Sequence, residues 1–194
     1  MLRFVQGLIV GASLVPLAML LWLNSDKVPV AVKDQSLPYE QWIVNLPLAN
    51  RIQRELKSQP IKSDESALLS GARLYSEQCA ACHGLYGKPS TIAEHMYPSP
   101  PSLWDKQTNS DAVGVSNELS STIYWKVSNG VRLSGMPAFE HQLTDNEIWQ
   151  ISLLLSNADK PLPPAAITIL RGKKIAEASP STQASIAKEN MLRP

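Results

Sequence analysis

Cys79-Ala80-Ala81-Cys82-His83, continuing into Gly84, is the stretch that decides how this chain is read. Two thiols lie three positions apart and an imidazole follows at once. One helical turn brings residues at that spacing to the same side, so both sulfurs reach one edge of a flat ligand with the next residue delivered beneath it. This is the CxxCH pattern, in which two thiols add across the vinyl groups of a haem and the adjacent His binds its iron. The chain has 194 residues, two Cys and three His, so a multi-bridge disulfide scaffold is ruled out and one covalently attached haem c is expected. A CxxC pair also serves as a redox dithiol or as half of a zinc site. The first needs a βαβ setting that the sequence pattern does not offer, and the second would have to recruit His95 or His141.

A sixth iron ligand is sought downstream among Met96, Met136, His95 and His141. Asn129-Gly130 and Ser134-Gly135-Met136-Pro137-Ala138-Phe139 put Met136 in a Gly- and Pro-punctuated loop between two helical stretches, where a side chain is well placed for presentation to a cofactor. Met136 is therefore the first choice over its ordinary use as core filler. His95 and Met96 sit in an irregular stretch and rank second. His141 has no supporting context.

Helix signals surround these residues. Ser63 reads as an N-cap, with Asp64 and Glu65 in a first turn opening a helix through about Gln78 that puts Leu68, Ala72 and Tyr75 on one face. A second helix is expected over Glu118 to about Asn129, with Leu119, Ile123 and Val127 in register and Gly130 as its stop. Thr144-Asp145-Asn146-Glu147 is a capping box opening a helix whose Ile148, Ile151, Leu154 and Leu155 form an apolar stripe ending near Asn157. Lys160-Pro161-Leu162-Pro163-Pro164 is expected to stop helical structure, leaving a basic tail, disordered or loosely helical, over 160–194. No sustained period-two alternation and no internal repeat is visible, so the folded part should be helical.

Toward the amino terminus, Phe4 to Leu23 is a run of 20 uncharged residues, which at about 1.5 Å per residue matches a hydrocarbon core of roughly 30 Å. A signal peptide is the competing reading, but its apolar region is shorter and ends in small residues, whereas this run closes on Leu20-Leu21-Trp22-Leu23. The expected layout is a cytoplasmic 1–3, a transmembrane anchor at 4–23, a linker at 24–62, the haem domain at 63–159 and the tail. The linker carries Pro29, Pro38, Pro47 and Pro60. After Pro47, Leu48, Ile52 and Leu56 recur every four residues, as in a short helix packing on its own domain or on a partner. Gly7 and Gly11 make a GxxxG spacing too weak to imply a dimer.

Charge excludes one class of partner. The formal net charge is +1, so nothing points to nucleic acid. That balance hides an asymmetry: residues 63–159 carry five basic and eleven acidic side chains, while 1–62 carry seven against four and 160–194 six against two. Solvated faces without a partner account for this as well as docking does.

With CAACHG at Cys79 to Gly84, NG at Asn129 and Gly130, SGMPAF at Ser134 to Phe139 and LTDNEIWQISLLL at Leu143 to Leu155, the chain from about residue 66 to 158 resembles the class I cytochromes c, the small bacterial monohaem kind. The resemblance implies an all-α fold wrapped around one covalent haem, held by Cys79 and Cys82, with His83 as the proximal and Met136 as the distal iron ligand. It gives Gly71 and Tyr75 the first-helix positions that cross the last helix, with Trp149 as aromatic partner. The loop from Gly84 to Leu103 departs from the family's compact pattern through Tyr97-Pro98-Ser99-Pro100-Pro101. The family implies there a proline carbonyl, Pro100 or Pro101, accepting from the proximal His. Trp104, which can only donate, would serve a haem propionate or pack at the rim.

An iron with both axial positions filled has none left for a substrate, which makes one-electron transfer the expected function, with no catalytic residue and no small-molecule substrate. Redox proteins in or at the membrane are the expected partners. The resemblance, with Arg3 before the span, implies an inner-membrane single-pass protein with its haem domain on the periplasmic side. An electron-entry or exit subunit of a larger membrane oxidoreductase would carry the same motifs, with the anchor, the Leu48 to Leu56 stripe and the basic tail as docking elements. A haem-based ligand sensor or small peroxidase would need a displaceable Met136, and nothing in the sequence signals an open distal pocket.

Overall fold

The computed structural model describes residues 2–24, 31, 35, 37, 38, 40–108 and 110–173. Among them the chain is helical, with isolated β-bridges in place of strands. It divides into two units, Met1–Pro47 and Leu48–Pro194.

In the first unit, α1 runs Leu2–Leu23 with Pro16 inside it. The stretch Arg3–Leu23 has a mean hydropathy of 2.1, long and apolar enough to cross a membrane, and none of its residues is buried. The next helix, α2, covers Glu40–Glu55 and carries Pro47 in its interior. The apolar spacing after Pro47 predicts a short helix there. The helix instead starts seven residues earlier, where Glu40 Oε2 accepts from Leu37 N at 3.0 Å and so occupies a free backbone donor at the turn into the helix. Trp42, Ile43 and Leu46 are exposed on this first half.

The second unit begins with the last turns of α2. Ile52 is buried there, Trp125 Nε1 donates to Glu55 Oε2 at 2.8 Å, the Arg51 guanidinium stands 5.7 Å from the Trp125 ring, and Lys57 Nζ donates to the Tyr124 hydroxyl at 3.1 Å. Of the Leu48, Ile52 and Leu56 stripe, Ile52 is buried beside these polar ties and the other two are half-buried. Helix α3, Glu65–Gln78, is capped one residue later than the sequence suggested. Asp64 accepts from Ala67 N at 2.8 Å, while Ser63 Oγ accepts from Asn157 Nδ2 at 3.2 Å. Asp is as good a cap as Ser, and the register follows whichever oxygen reaches the free amide.

After α3 the chain restarts as α4, Ala80–His83, and then α5 covers Ser120–Asn129 and α6 Asp145–Ser156. The Thr144 capping box forms as read, with Glu147 Oε2 accepting from Thr144 N at 2.8 Å. Helix α5 starts two residues later than expected. Glu118 lies before it and is committed to Lys126 Nζ at 2.7 Å. Helices α3 and α6 cross at Gly71, where a Cβ would stand 2.3 Å from the Gln150 carbonyl oxygen, so the close approach requires glycine.

The aromatic partner assigned to this crossing is different from the one expected. Trp149 is buried and stacks on Tyr124 of α5, with centroids 4.3 Å apart and planes 20° apart. Tyr75 meets Trp104 edge-on at 5.3 Å instead.

The larger correction concerns the carboxyl-terminal side. Pro161 to Pro164 do not end helical structure: Pro164 opens a further helix, α7, Pro164–Leu170. Proline at a first helical position costs no hydrogen bond and arrives with φ already suitable. Leu162, Ala166 and Leu170, four apart, are buried in the same core as α3 and α6, and the Leu170 carbonyl accepts from Tyr86 N at 2.9 Å. The domain extends past 159 by this helix. Residues 174–194 of the expected tail lie outside the described residues, as do most of 25–39 of the linker.

Candidate haem site

The attachment segment is built by a helix that breaks and restarts. Cys79 N donates to Tyr75 O at 2.9 Å, closing α3, and its carbonyl accepts from Cys82 N at 3.2 Å and His83 N at 3.0 Å. Those bonds wind Cys79, Cys82 and His83 into one turn. Tyr75 is fully buried and its hydroxyl donates to Gly84 O at 2.7 Å, tying the end of that turn back to α3.

Cys79 and Cys82 are unbridged and half-buried. Burial, with Cys82 nearby, pushes the Cys79 thiol up to about 12, so it is protonated at neutral pH in this chain. Burial also lowers the His83 pKa, against an opposing hydrogen bond to Pro101. That bond joins His83 Nδ1 to Pro101 O at 2.8 Å. A carbonyl can only accept, so Nδ1 carries the proton and Nε2 of the neutral ring keeps a free lone pair. Of the two prolines considered, Pro101 is the acceptor.

The donor set fits a covalent haem: two free thiols one turn apart and an imidazole whose second nitrogen is oriented and available as a ligand. A further polar atom points the same way. Trp104 is buried and its indole N–H makes no hydrogen bond of sound geometry, although it is near enough to Tyr75 to oppose weakly the burial-driven rise of that phenol's pKa. A buried donor without an acceptor is costly, and a carboxylate supplied by a bound group would relieve it. The zinc alternative finds no support, because among the described residues no group of three or more His, Cys, Asp or Glu side chains is arranged to hold a metal ion.

Met136 stands on the loop between α5 and α6. Val131 N donates to Met136 O at 3.2 Å, Met136 N donates to Ser134 Oγ at 3.3 Å, and Phe139 N returns the chain to Val127 O of α5 at 3.1 Å. Met136 and Cys79 are both partly buried against the same hydrophobic core. His95 is exposed in a 3₁₀ turn at Ala93–His95, and His141 is exposed beside Glu140 at 3.6 Å. Met96 is half-buried, and its methyl approaches Gly135. No sequence signal announced that contact, because nothing local links positions 39 apart.

Residues 66–154 match the profile of the family described as cytochrome C oxidase, cbb3-type, subunit III, which supports a c-type cytochrome domain here with its haem, iron and electron-transfer character. No curated protein matches the chain. Among solved structures it is similar to a chain of the reducing HAO-like protein complex of Kuenenia stuttgartiensis, at 20% identity and a TM-score of 0.40, over 51% of this chain and 46% of that one. This chain thus spans less than half the length of that neighbour.

Proposed function

We propose that this chain is a membrane-anchored c-type cytochrome that passes single electrons through one haem c, covalently held by Cys79 and Cys82, with His83 and Met136 as axial ligands. The observation that carries this reading is the 2.8 Å bond from His83 Nδ1 to Pro101 O, which leaves Nε2 free on the same turn that bears both thiols. A haem bound there supplies a one-electron iron couple, and thioether ligation raises its potential. The chain's own part is to fix the imidazole's tautomer and direction, to surround the group with apolar side chains and to keep Met136 on a fastened loop. With His83 and Met136 both holding the iron, no position would be left on it for a substrate, and the chain would serve to carry electrons. Helix α1 anchors it in the inner membrane, with the haem domain on the periplasmic side and redox proteins in or at the membrane as partners.

Acid-acetone extraction tests the attachment. The colour is expected to stay with the protein, and Cys79→Ser with Cys82→Ser to lose haem on denaturation. Colour leaving the unmutated protein with the solvent would sink the reading.

A second reading is that the domain works as the cytochrome subunit of a larger membrane oxidoreductase. The profile match favours it, since the matching family is described as an oxidase subunit. Copurification from native membranes separates the two: a stoichiometric oxidoreductase partner supports the subunit, and a monodisperse free cytochrome supports the carrier.

A further inference from the structure

The segment from Gly84 to Pro101 contains no α-helix, yet it is fastened at both ends to the CxxCH turn. Ser90 Oγ donates to Ala81 O, inside the CxxCH stretch, and Pro101 O accepts from His83 Nδ1 at 2.8 Å. Between those ties it is braced internally. Leu85 and Lys88 exchange two backbone bonds of 2.8 Å, Ala93 N donates to Ser90 Oγ at 3.3 Å, and Ser99 Oγ donates to Ala93 O at 2.9 Å. The 3₁₀ turn Ala93–His95 then delivers Met96, whose N–H donates to Ala93 O at 3.2 Å. Its methyl carbon lies 3.1 Å from where a Cβ on Gly135 would stand. Gly135 has φ +71 and directly precedes Met136. A segment anchored on the His83 side thus reaches across to the loop that carries the proposed distal ligand, and approaches its Gly135 with a flexible thioether.

We propose that Met96 is a positioning residue for the distal side, closing the seam between segment 84–101 and loop 130–139 and so keeping Met136 in place toward the haem. This rests on the reading of the chain as a haem c protein with Met136 as ligand. The hydrogen bonds of Val131, Ser134 and Met136 lie within the loop and set its shape, and that of Phe139 ties its far end to α5; none of them joins the loop to segment 84–101, so that seam is left to packing. Methionine suits that task, since three rotatable bonds let it fill an irregular gap against backbone without a Cβ. An alanine at 96 leaves the gap open, and the loop gains freedom to swing.

The test uses the full-length holoprotein and reads the rate of carbon monoxide binding to the reduced form alongside the weak sulfur-to-iron absorption band of the oxidised form. Met96→Ala is expected to keep the band and to bind carbon monoxide about tenfold faster or more, with Met96→Leu returning most of the parent's slowness. Met96→Ser, which truncates the same side chain without altering the loop backbone, is expected to behave like Met96→Ala and serves if that variant does not accumulate. An unchanged rate in folded Met96→Ala, or no restoration by Leu, overturns the proposal. A band lost in Met96→Ala and kept in Met136→Ala would make Met96 the ligand and sink the ligand assignment too. Absence of the band from the parent defeats the reading on which the proposal rests.

Discussion

At the residue scale, His83 shows how a side chain that is chemically ordinary becomes a defined donor. Its partner at Nδ1 is a backbone carbonyl that only accepts, and burial keeps the ring neutral, so a single lone pair remains to be offered. Met136, the proposed distal ligand, is opposite in character: a soft, neutral side chain carried on a loop. If it fills the sixth position, Met136→Ala opens the iron. Rapid carbon monoxide binding, a lowered reduction potential and loss of the sulfur-to-iron band are then expected. Slow binding with the band intact in that variant would refute the assignment. Tyr75, Trp104, Tyr124 and Trp149 show what residue type alone leaves open. All four are aromatic and buried, and which pairs with which was settled by where α3, α5, α6 and the loop bearing Trp104 meet.

At the scale of the element, two helices carry more than their sequences announced. The last turns of α2 are fastened by Glu55, whose carboxylate is held below its ordinary value of 4.5, chiefly by the Trp125 indole N–H and then by Arg51. A carboxyl with a depressed folded-state pKa stabilises the fold above its unfolded pKa, and that contribution fades as pH falls through the folded value. Glu55→Gln should therefore lower the melting temperature at pH 7, and the gap from the parent should narrow as pH falls below the ordinary carboxylate range. A gap that persists unchanged at acid pH would assign the effect to packing rather than charge. Helix α7 rests on Leu170 and Ala166, both fully buried. Leu170→Ala is expected to cost about 2–5 kcal/mol, read as a shift in the denaturation midpoint with the slope retained. A change under about 0.5 kcal/mol, typical of a surface site, would mean that α7 is an appendage and not part of the core.

At the scale of the whole molecule, the prediction concerns sidedness. The apolar helix α1 precedes the haem domain and Arg3 stands before its span, so the proposed orientation leaves the domain outside the cytoplasm. Protease added to intact spheroplasts is expected to digest the haem domain, and full protection until lysis would reverse the topology. A cleaved signal segment would instead release the domain in soluble form, which fractionation of native membranes detects.

The sequence by itself determined the features whose chemistry is local. The CxxCH turn needs three residues at one spacing, the Thr144 cap needs a hydroxyl and a carboxylate three apart, and the apolar run at 4–23 needs length and absence of charge. Each is complete within a few turns of chain, so reading along the chain finds it. Only the tertiary structure decided the rest. Pro161 to Pro164 look like an end until Leu162, Ala166 and Leu170 find the α3 and α6 core, and burial then makes a helix of a stretch that punctuation seemed to close. Pro47 looks like a start and lies inside α2, whose Glu55 reaches Trp125 across 70 positions of sequence, as Lys57 just beyond it reaches Tyr124 across 67. The Met96 to Gly135 contact is of the same kind. Packing between distant segments depends on which surfaces meet after every local choice has been made, and no single stretch of sequence contains that information.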